Sequence, residues 1–243
     1  MNLNDMIYKR KSFRKYTTQP VDAATLEQIE AFCAQAKPLD PAIKVRTEII
    51  GKENVKCLLP WIPPQVIAIF SEETDGYLEN AGFLFQQLDL YLQSLGLGSC
   101  WLGMGRLDSH AQSAANDGLG FVIMLAFGHP KGGETLRESI AQFKRKALSE
   151  ISDREDARLE SARLAPSSVN SQPWYFTHQG DVIHAYCVKQ GLLKAKALGA
   201  MNRIDMGIAL AHLYVEHPDT FRYFTVPDAP EVKNYGYIGS VTL

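Results

Sequence analysis

Leu84, Leu88, Leu92 and Leu95 recur at helical spacing through residues 77 to 95, with Phe85 and Tyr91 widening the apolar face and Gly96 as a stop. This predicts a long core helix. Upstream, Asn4 and Asp5 are placed to cap a short helix bearing Met6 and Ile7, whose end carries Lys9, Arg10 and Lys11, where the helix dipole favours cations. Asp22 opens a second helix to about Ala36, with Leu26, Ile29 and Cys33 on one stripe. The alternation in IKVRTEII (Ile43, Val45, Thr47, Ile49) predicts a strand, and QVIAIF (65 to 70) a buried one. A glycine-rich segment follows the core helix. Beyond it the pattern predicts a helix around 108 to 116, the strand FVIMLAFG (121 to 128) and a basic helix near 134 to 150. Then come a helix over 153 to 165, a hairpin turning at Gly180-Asp181 between WYFTHQ and VIHAYCV, a helix at about 203 to 216, and strands at 220 to 225 and 235 to 242.

That order of elements points to an internal duplication. QIEAFCAQA aligns with RLESARLAP, Glu30 against Glu160, and NAGFLFQQLDLY with RIDMGIALAHLYV, Gly82 against Gly207. Residues 1–150 and 151–243 would each be a helix, strands, a long core helix and a closing strand, packed as one unit. Apolar helices also align by chance, so one large undivided domain fits the same pattern.

Composition changes this picture mainly by exclusion. The 243 residues are 46% hydrophobic and 21% charged, the profile of a soluble globular chain. A net charge of -2 gives no global field for nucleic acid or an anionic membrane. The N-terminus lacks a signal-peptide core, and the longest apolar run, FVIMLAF, is too short to span a bilayer, so a cytoplasmic protein is expected. Cys33, Cys57, Cys100 and Cys187 are scattered with no CxxC, which fits reduced thiols. His178 with His184, and His212 with His217, have no third ligand at a recognisable spacing, so no metal site is expected.

Three segments carry candidate chemistry. KRKSFRK (Lys9 to Lys15) reads either as a solvated helix end or as an anion site, since arginines beside Ser12 suit a phosphate monoester, and FKRK (143 to 146) offers a second basic group. GLGSCWLGM (Gly96 to Met104) reads either as a tight connection or as backbone opened to a flat ligand; it has neither GxGxxG nor GK[ST] spacing. In LAPSSVNSQPWYF, Pro166 ends a helix, Ser167 and Ser168 offer hydroxyls and amides, and Asn170 and Gln172 offer paired donors and acceptors. Such a set suits the edge of a heteroaromatic ring, or a loop satisfying its own backbone.

Taken together these segments resemble the FMN-dependent nitroreductase family. RKSFRKY (10 to 16) is similar to its N-terminal phosphate motif, GLGSCWLG (96 to 103) to its flavin-ring loop, FGHP (127 to 130) to the end of its last core strand, RKALSEI (145 to 151) to its C-terminal phosphate segment, and APSSVNSQPW to its flavin-face signature. In ordinary members the PSSxNxQPW loop follows the first long helix and is lent to a dimer partner. Here that place reads AKPLDPAIKV, and the signature follows the equivalent helix of the second half. The chain thus resembles the fused TM nitroreductase branch, in which one polypeptide imitates the dimer.

The resemblance implies an α+β, nitroreductase-like three-layer fold, a central mostly antiparallel sheet flanked by helices, in two pseudo-repeated halves able to be monomeric. It implies FMN, with Arg10, Lys11, Ser12, Arg145 and Lys146 at the phosphate, Arg14 supporting charge near N1 and O2, Trp101, Leu102 and Gly103 near N5, and Pro166, Ser167, Ser168, Asn170 and Gln172 lining the ring. No side-chain acid or base is required. The implied reaction is ping-pong: NAD(P)H reduces FMN and an electron-poor acceptor, a nitroaromatic or quinone, takes the electrons. A flavin-binding protein without turnover, a reductive dehalogenase and a flavin-fragmenting enzyme are the alternatives on the same fold.

Overall fold

The computed structural model describes residues 2–57, 63–108 and 118–243. In chain order the first half comprises α1 (Leu3–Ile7), α2 (Ala23–Gln35), β1 (Val45–Gly51), β2 (Val55–Lys56), β3 (Gln65–Ser71), α3 (Tyr77–Ser94), β4 (Gly98–Leu102), β5 (Arg106–Leu107) and β6 (Gly120–Gly128). The cap of α1 is Asn2, not Asn4 or Asp5: its side chain accepts the Asn4 N–H, and Asp5 lies in the first turn. Asp22 caps α2 as expected, accepting the Thr25 backbone N–H at 3.0 Å. The helix expected at 108–116 falls outside the described residues apart from Asp108.

The strands β1, β3, β6 and β4 form an antiparallel sheet in that spatial order, and β2 pairs with β5 as a small ribbon. QVIAIF reads as an unbroken apolar run because both faces of β3 are covered. Ile67 and Ile69 join the main core, while Val66, Ala68 and Phe70 join a second cluster with Leu107 and Met124. At the end of α3, Gly96 turns left-handed at φ +79°, a conformation that favours glycine.

The basic helix expected over 134–150 does not form. There is one 3-10 turn (Ile140–Gln142) and the short α4 (Leu148–Ile151). Gly132 and Gly133 are both left-handed, and the backbone beyond is tied elsewhere: Arg137 N–H donates to the Lys9 carbonyl at 2.8 Å and Lys146 N–H to Gln172 Oε1 at 2.7 Å. Likewise the helix expected over 153–165 shrinks to a 3-10 turn (Ala157–Leu159) and α5 (Glu160–Leu164), because Asp153 N–H donates to the Phe176 carbonyl at 3.1 Å and holds that stretch extended.

The hairpin is as expected: β7 (Trp174–Gln179) and β8 (Val182–Val188) turn at Gly180, φ +61°. The last helix, α6 (Leu192–Glu216), starts well before 203, because LLKAKALGAMN is rich in helix formers and the single Gly199 does not break it. β9 (Arg222–Phe224) and β10 (Tyr235–Thr242) complete a second antiparallel sheet, ordered β7-β8-β10-β9. The α+β class with antiparallel strands and flanking helices stands, but the strands divide between two four-stranded sheets rather than one. Exchanging β1, β3, β4 and β6 for β7, β8, β9 and β10 converts one order into the other.

One apolar core joins the two sheets through α3 and α6. Ile67, Ile69, Phe83, Leu84 and Leu88 meet Ile183, Ala185, Ile204, Ile208 and Val241 in it. Where the helices cross, a Cβ on Gly82 would collide with the Ile204 carbonyl and a Cβ on Gly207 with the Glu79 carbonyl. Both glycines therefore permit backbone-to-backbone approach. Among the described residues no helix is long and apolar enough to cross a membrane.

Candidate cofactor site

The site is organised by a polar stripe on α3. Gln86, Asp89 and Gln93 are buried although the helix is otherwise apolar on this side. Asp89 accepts from Ser99 Oγ at 2.6 Å, Gln93 Nε2 at 3.3 Å and Gln86 Nε2 at 3.1 Å, and ion-pairs with Arg10 Nε at 2.9 Å. Gln86 Oε1 accepts from Trp101 Nε1 at 3.3 Å, and Gln93 Oε1 from Lys11 N–H at 3.0 Å. The stripe thereby locks the N-terminal basic segment and the start of β4 onto one helix.

Arg10 is 1% exposed, so at this residue the basic run is not a solvated helix end. Its carbonyl accepts from Arg137 Nη1, and Arg137 lies over the Phe143 ring with its guanidinium carbon 4.2 Å from the centroid. Arg145, two residues beyond Phe143, lies over the same ring, and donates from Nε to the Ala165 carbonyl at 2.9 Å and from Nη1 to Asn170 Oδ1 at 2.6 Å. Burial first, and the charge of Arg10 next, push both Arg137 and Arg145 down to about 10. Among the described residues neither forms an ion pair with a carboxylate. Arg10 of the N-terminal segment and Arg137 and Arg145 of the 134–150 stretch act on one another, with Asp89 paired to Arg10 and with Arg163, itself paired to Glu160, also acting on Arg145. This donor set has the chemistry to accept a phosphate monoester.

The other predicted phosphate residues are engaged differently. The Lys11 ammonium pairs with Glu134 at 3.2 Å, and the Lys146 ammonium donates to the Gln172 carbonyl at 3.1 Å. Ser12 Oγ lies 3.5 Å from Arg10 Nη2, and Arg14 is exposed, with its charge lowering the Cys100 thiol against the larger upward push of burial.

The glycine segment is a strand rather than a loop as far as Leu102. As the edge strand β4 pairs only with β6, and on its open side the Ser99 carbonyl accepts Phe13 N–H at 2.9 Å. Alternation turns the backbone groups of Trp101 toward the same open edge, whereas the Leu102 side chain is buried. A Cβ on Gly103 would come within 3.0 Å of Met201 Sδ on α6.

One turn further along α6, Asp205 takes hold of the serine loop. Ser168 N–H donates to its carboxylate with both oxygens at 3.0 Å, and Ser171 Oγ lies 3.5 Å from Oδ2. Ser167 Oγ accepts from Gln172 N–H at 2.9 Å, Asn170 Nδ2 donates to the Lys144 carbonyl at 2.9 Å, and Pro166 is buried. Val169, Asn170 and Gln172 are all left-handed, at φ +47°, +57° and +47°, a conformation that asparagine tolerates but that costs Val169 and Gln172 about 1–2 kcal/mol each. Their cluster within four residues is local strain of the kind stored at functional sites.

Sequence reasoning missed Gln86, Asp89 and Gln93, Arg137 and Asp205. The signal for the first three was present, polar residues at positions i, i+3 and i+7 along one face of a helix rich in leucine and phenylalanine. Arg137 carried none, because its role comes from a tertiary approach to Lys9 and Arg10. His212 is fully buried with Nδ1 2.8 Å from the Ser161 carbonyl, and burial, with Arg10 and Arg145 adding, pushes it down to about 3. Among the described residues no group of His, Cys, Asp and Glu is placed to hold a metal ion. A cavity of about 600 Å³ opens beside the arginine group, lined by Lys9, Phe13, Gln93, Leu97, Glu134 and Arg137. Another, of about 620 Å³, lies among Cys33, Ala36, Pro38, Pro41 and Arg46; neither cavity is lined by a residue of the predicted set, and the first touches the arginine group through Arg137.

The family model described as "Putative TM nitroreductase" matches residues 2–217, and the chain belongs to that family. A solved structure described as a putative nitroreductase from Thermotoga maritima MSB8 is similar over 99% of this chain and 92% of its own, with 19% identity and a TM-score of 0.66. A nitroreductase family protein from Clostridium difficile 630 is similar over 64% of this chain and 99% of its own, with 19% identity and a TM-score of 0.50. No curated protein matches.

Proposed function

We propose that the protein is an FMN-dependent oxidoreductase that takes hydride from NAD(P)H and passes it to an electron-poor small molecule, such as a nitroaromatic or quinone. The observation that carries this reading is the convergence of Arg10, Arg137 and Arg145, with the 166–172 loop clamped onto Arg145 through Asn170. A terminal phosphate monoester fits that donor set, and membership of a nitroreductase family favours a flavin as the rest of the ligand. FMN would supply two-electron hydride acceptance and donation at ring nitrogen N5. The residues then bind and orient: Arg10, Arg137 and Arg145 at the phosphate, the open edge of Trp101 and Gly103 toward the ring, and Pro166, Ser167, Ser168 and Asn170 on its face. Arg14, exposed beside Cys100, would stabilise negative charge on the reduced ring.

The reading includes one site per chain, closed between halves 1–150 and 151–243 that imitate a dimer. Supporting it, Asn80 Oδ1 on α3 accepts Leu39 and Asp40 N–H at 2.8 and 3.1 Å, much as Asp205 on α6 holds Ser168. Asn80 lies two residues before Gly82, as Asp205 lies two before Gly207. The loop in the first half has no serine pair, and the second half has no RxSxR segment, so a second site would lack both parts. The scattered cysteines suit a reducing cytoplasm.

Freshly purified protein is expected to yield FMN, one per chain, by mass spectrometry and flavin absorbance, in a particle that sediments as a monomer. Anaerobic NAD(P)H should bleach it, and a second oxidant should restore it. FAD, two flavins per chain or no flavin after reconstitution would sink the reading, whereas bound FMN that NAD(P)H never bleaches would leave a flavin-binding protein without turnover.

A further inference from the structure

We propose that Asp205 is a positioning residue for the cofactor site, fixing the strained 167–172 loop from α6 and, through that loop, the Arg145–Lys146 segment. It rests on the FMN reading only for its consequence, not for the contact itself. The chain of contacts is continuous. Asp205 holds Ser168 N–H and approaches Ser171 Oγ; the same loop gives Asn170 Oδ1 to Arg145, Asn170 Nδ2 to the Lys144 carbonyl and Gln172 Oε1 to Lys146 N–H. With three L residues in the left-handed region, the loop needs an external anchor to stay in this conformation. Among the described residues its other side-chain anchors lie on the basic segment that it positions, so α6 supplies a rigid reference from outside that segment.

Asp205 is 3% exposed, and burial pushes its carboxyl up to about 8 against the lowering by Ser168 and Ser171. No charged side chain of α1, α3 or α5 contributes to that shift. The ionisable group that feels Asp205 in return is the Cys187 thiol of β8, pushed up to about 12 by burial, with Glu79 and Asp205 adding; Arg203, paired with Glu79, lowers it. Because the folded value lies above the ordinary carboxylate range, the neutral form is favoured in the fold, and the associated stability is lost as pH rises from about 4 through about 8. Ionisation, however, frees both oxygens to accept from the loop. The anchor thus tightens as Asp205 ionises, while the stability contributed by its neutral form is lost.

Amide hydrogen exchange and FMN titration by fluorescence quenching, on the full chain as wild type, Asp205→Asn and Asp205→Ala at pH 6.5 and 9, test this. In Asp205→Ala, exchange over 167–172 should speed at least tenfold with β7 and β8 still protected, and FMN affinity should fall at least tenfold. Asp205→Asn, which keeps an acceptor but cannot titrate, should stay within about threefold of wild type at pH 6.5. The wild type should gain FMN affinity relative to Asp205→Asn between the two pH values. Unchanged loop exchange and unchanged FMN affinity in Asp205→Ala overturn the proposal. If wild type binds no FMN, the function reading fails alone, and the exchange data still decide the anchor.

Discussion

Gly207→Ala is expected to destabilise the protein by about 3 kcal/mol, lowering Tm by about 6–12 °C at this chain size. In an ordinary helix the change would gain up to about 1 kcal/mol of propensity. Here the added methyl would collide with the Glu79 carbonyl, and a backbone atom cannot swing aside as a side chain can. Relief requires α3 and α6 to separate, which opens the core shared by the two sheets. Gly82→Ala meets the Ile204 carbonyl and should behave alike. Gly199→Ala, on the same helix with nothing within 4 Å of the new Cβ, is the control and should be neutral or stabilising. Urea denaturation of the three variants checks this; equal midpoints would mean that the helices do not cross backbone to backbone at these glycines.

Those glycines also show what was legible in the sequence. Gly82 and Gly207 were paired by alignment of two apolar helices, and they turned out to face each other's helix across one crossing. Strands β3, β6 and β10 and the β7–β8 hairpin followed from periodicity and turn chemistry, because each is an independent local pattern with a covered face. The failures fell where tertiary bonds outbid local preference. Residues 134–150 look helical in composition, but their backbone donors are spent on Lys9 and Gln172. In the site, motif residues were visible as types, whereas their burial was not. Arg10 looked like a surface cation beside Lys9 and Lys11, and nothing local distinguishes it; its partner Asp89 lies 79 residues away on α3.

That distinction sets the last expected result, a split between two arginines of one group. Arg10→Ala should cost about 3–5 kcal/mol of stability, because it leaves the Asp89 carboxylate, 0% exposed, without its cation. Ser99, Gln86 and Gln93 would still donate to Asp89, but neutral donors do not replace a guanidinium at 2.9 Å. Arg145→Ala removes a cation with no carboxylate partner among the described residues and relieves repulsion from Arg10 and Arg137, so Tm should stay within a few degrees of wild type. Its loss should appear instead in FMN affinity, by about 10- to 100-fold, the scale of one charged hydrogen bond at about 1.5–3 kcal/mol. Arg137→Ala should follow Arg145→Ala. Denaturation midpoints and flavin titrations on the same samples separate the two roles. Arg10→Ala as stable as wild type would show that Asp89 does not need its cation, and Arg145→Ala with unchanged FMN affinity would show that the guanidinium group is not the phosphate site.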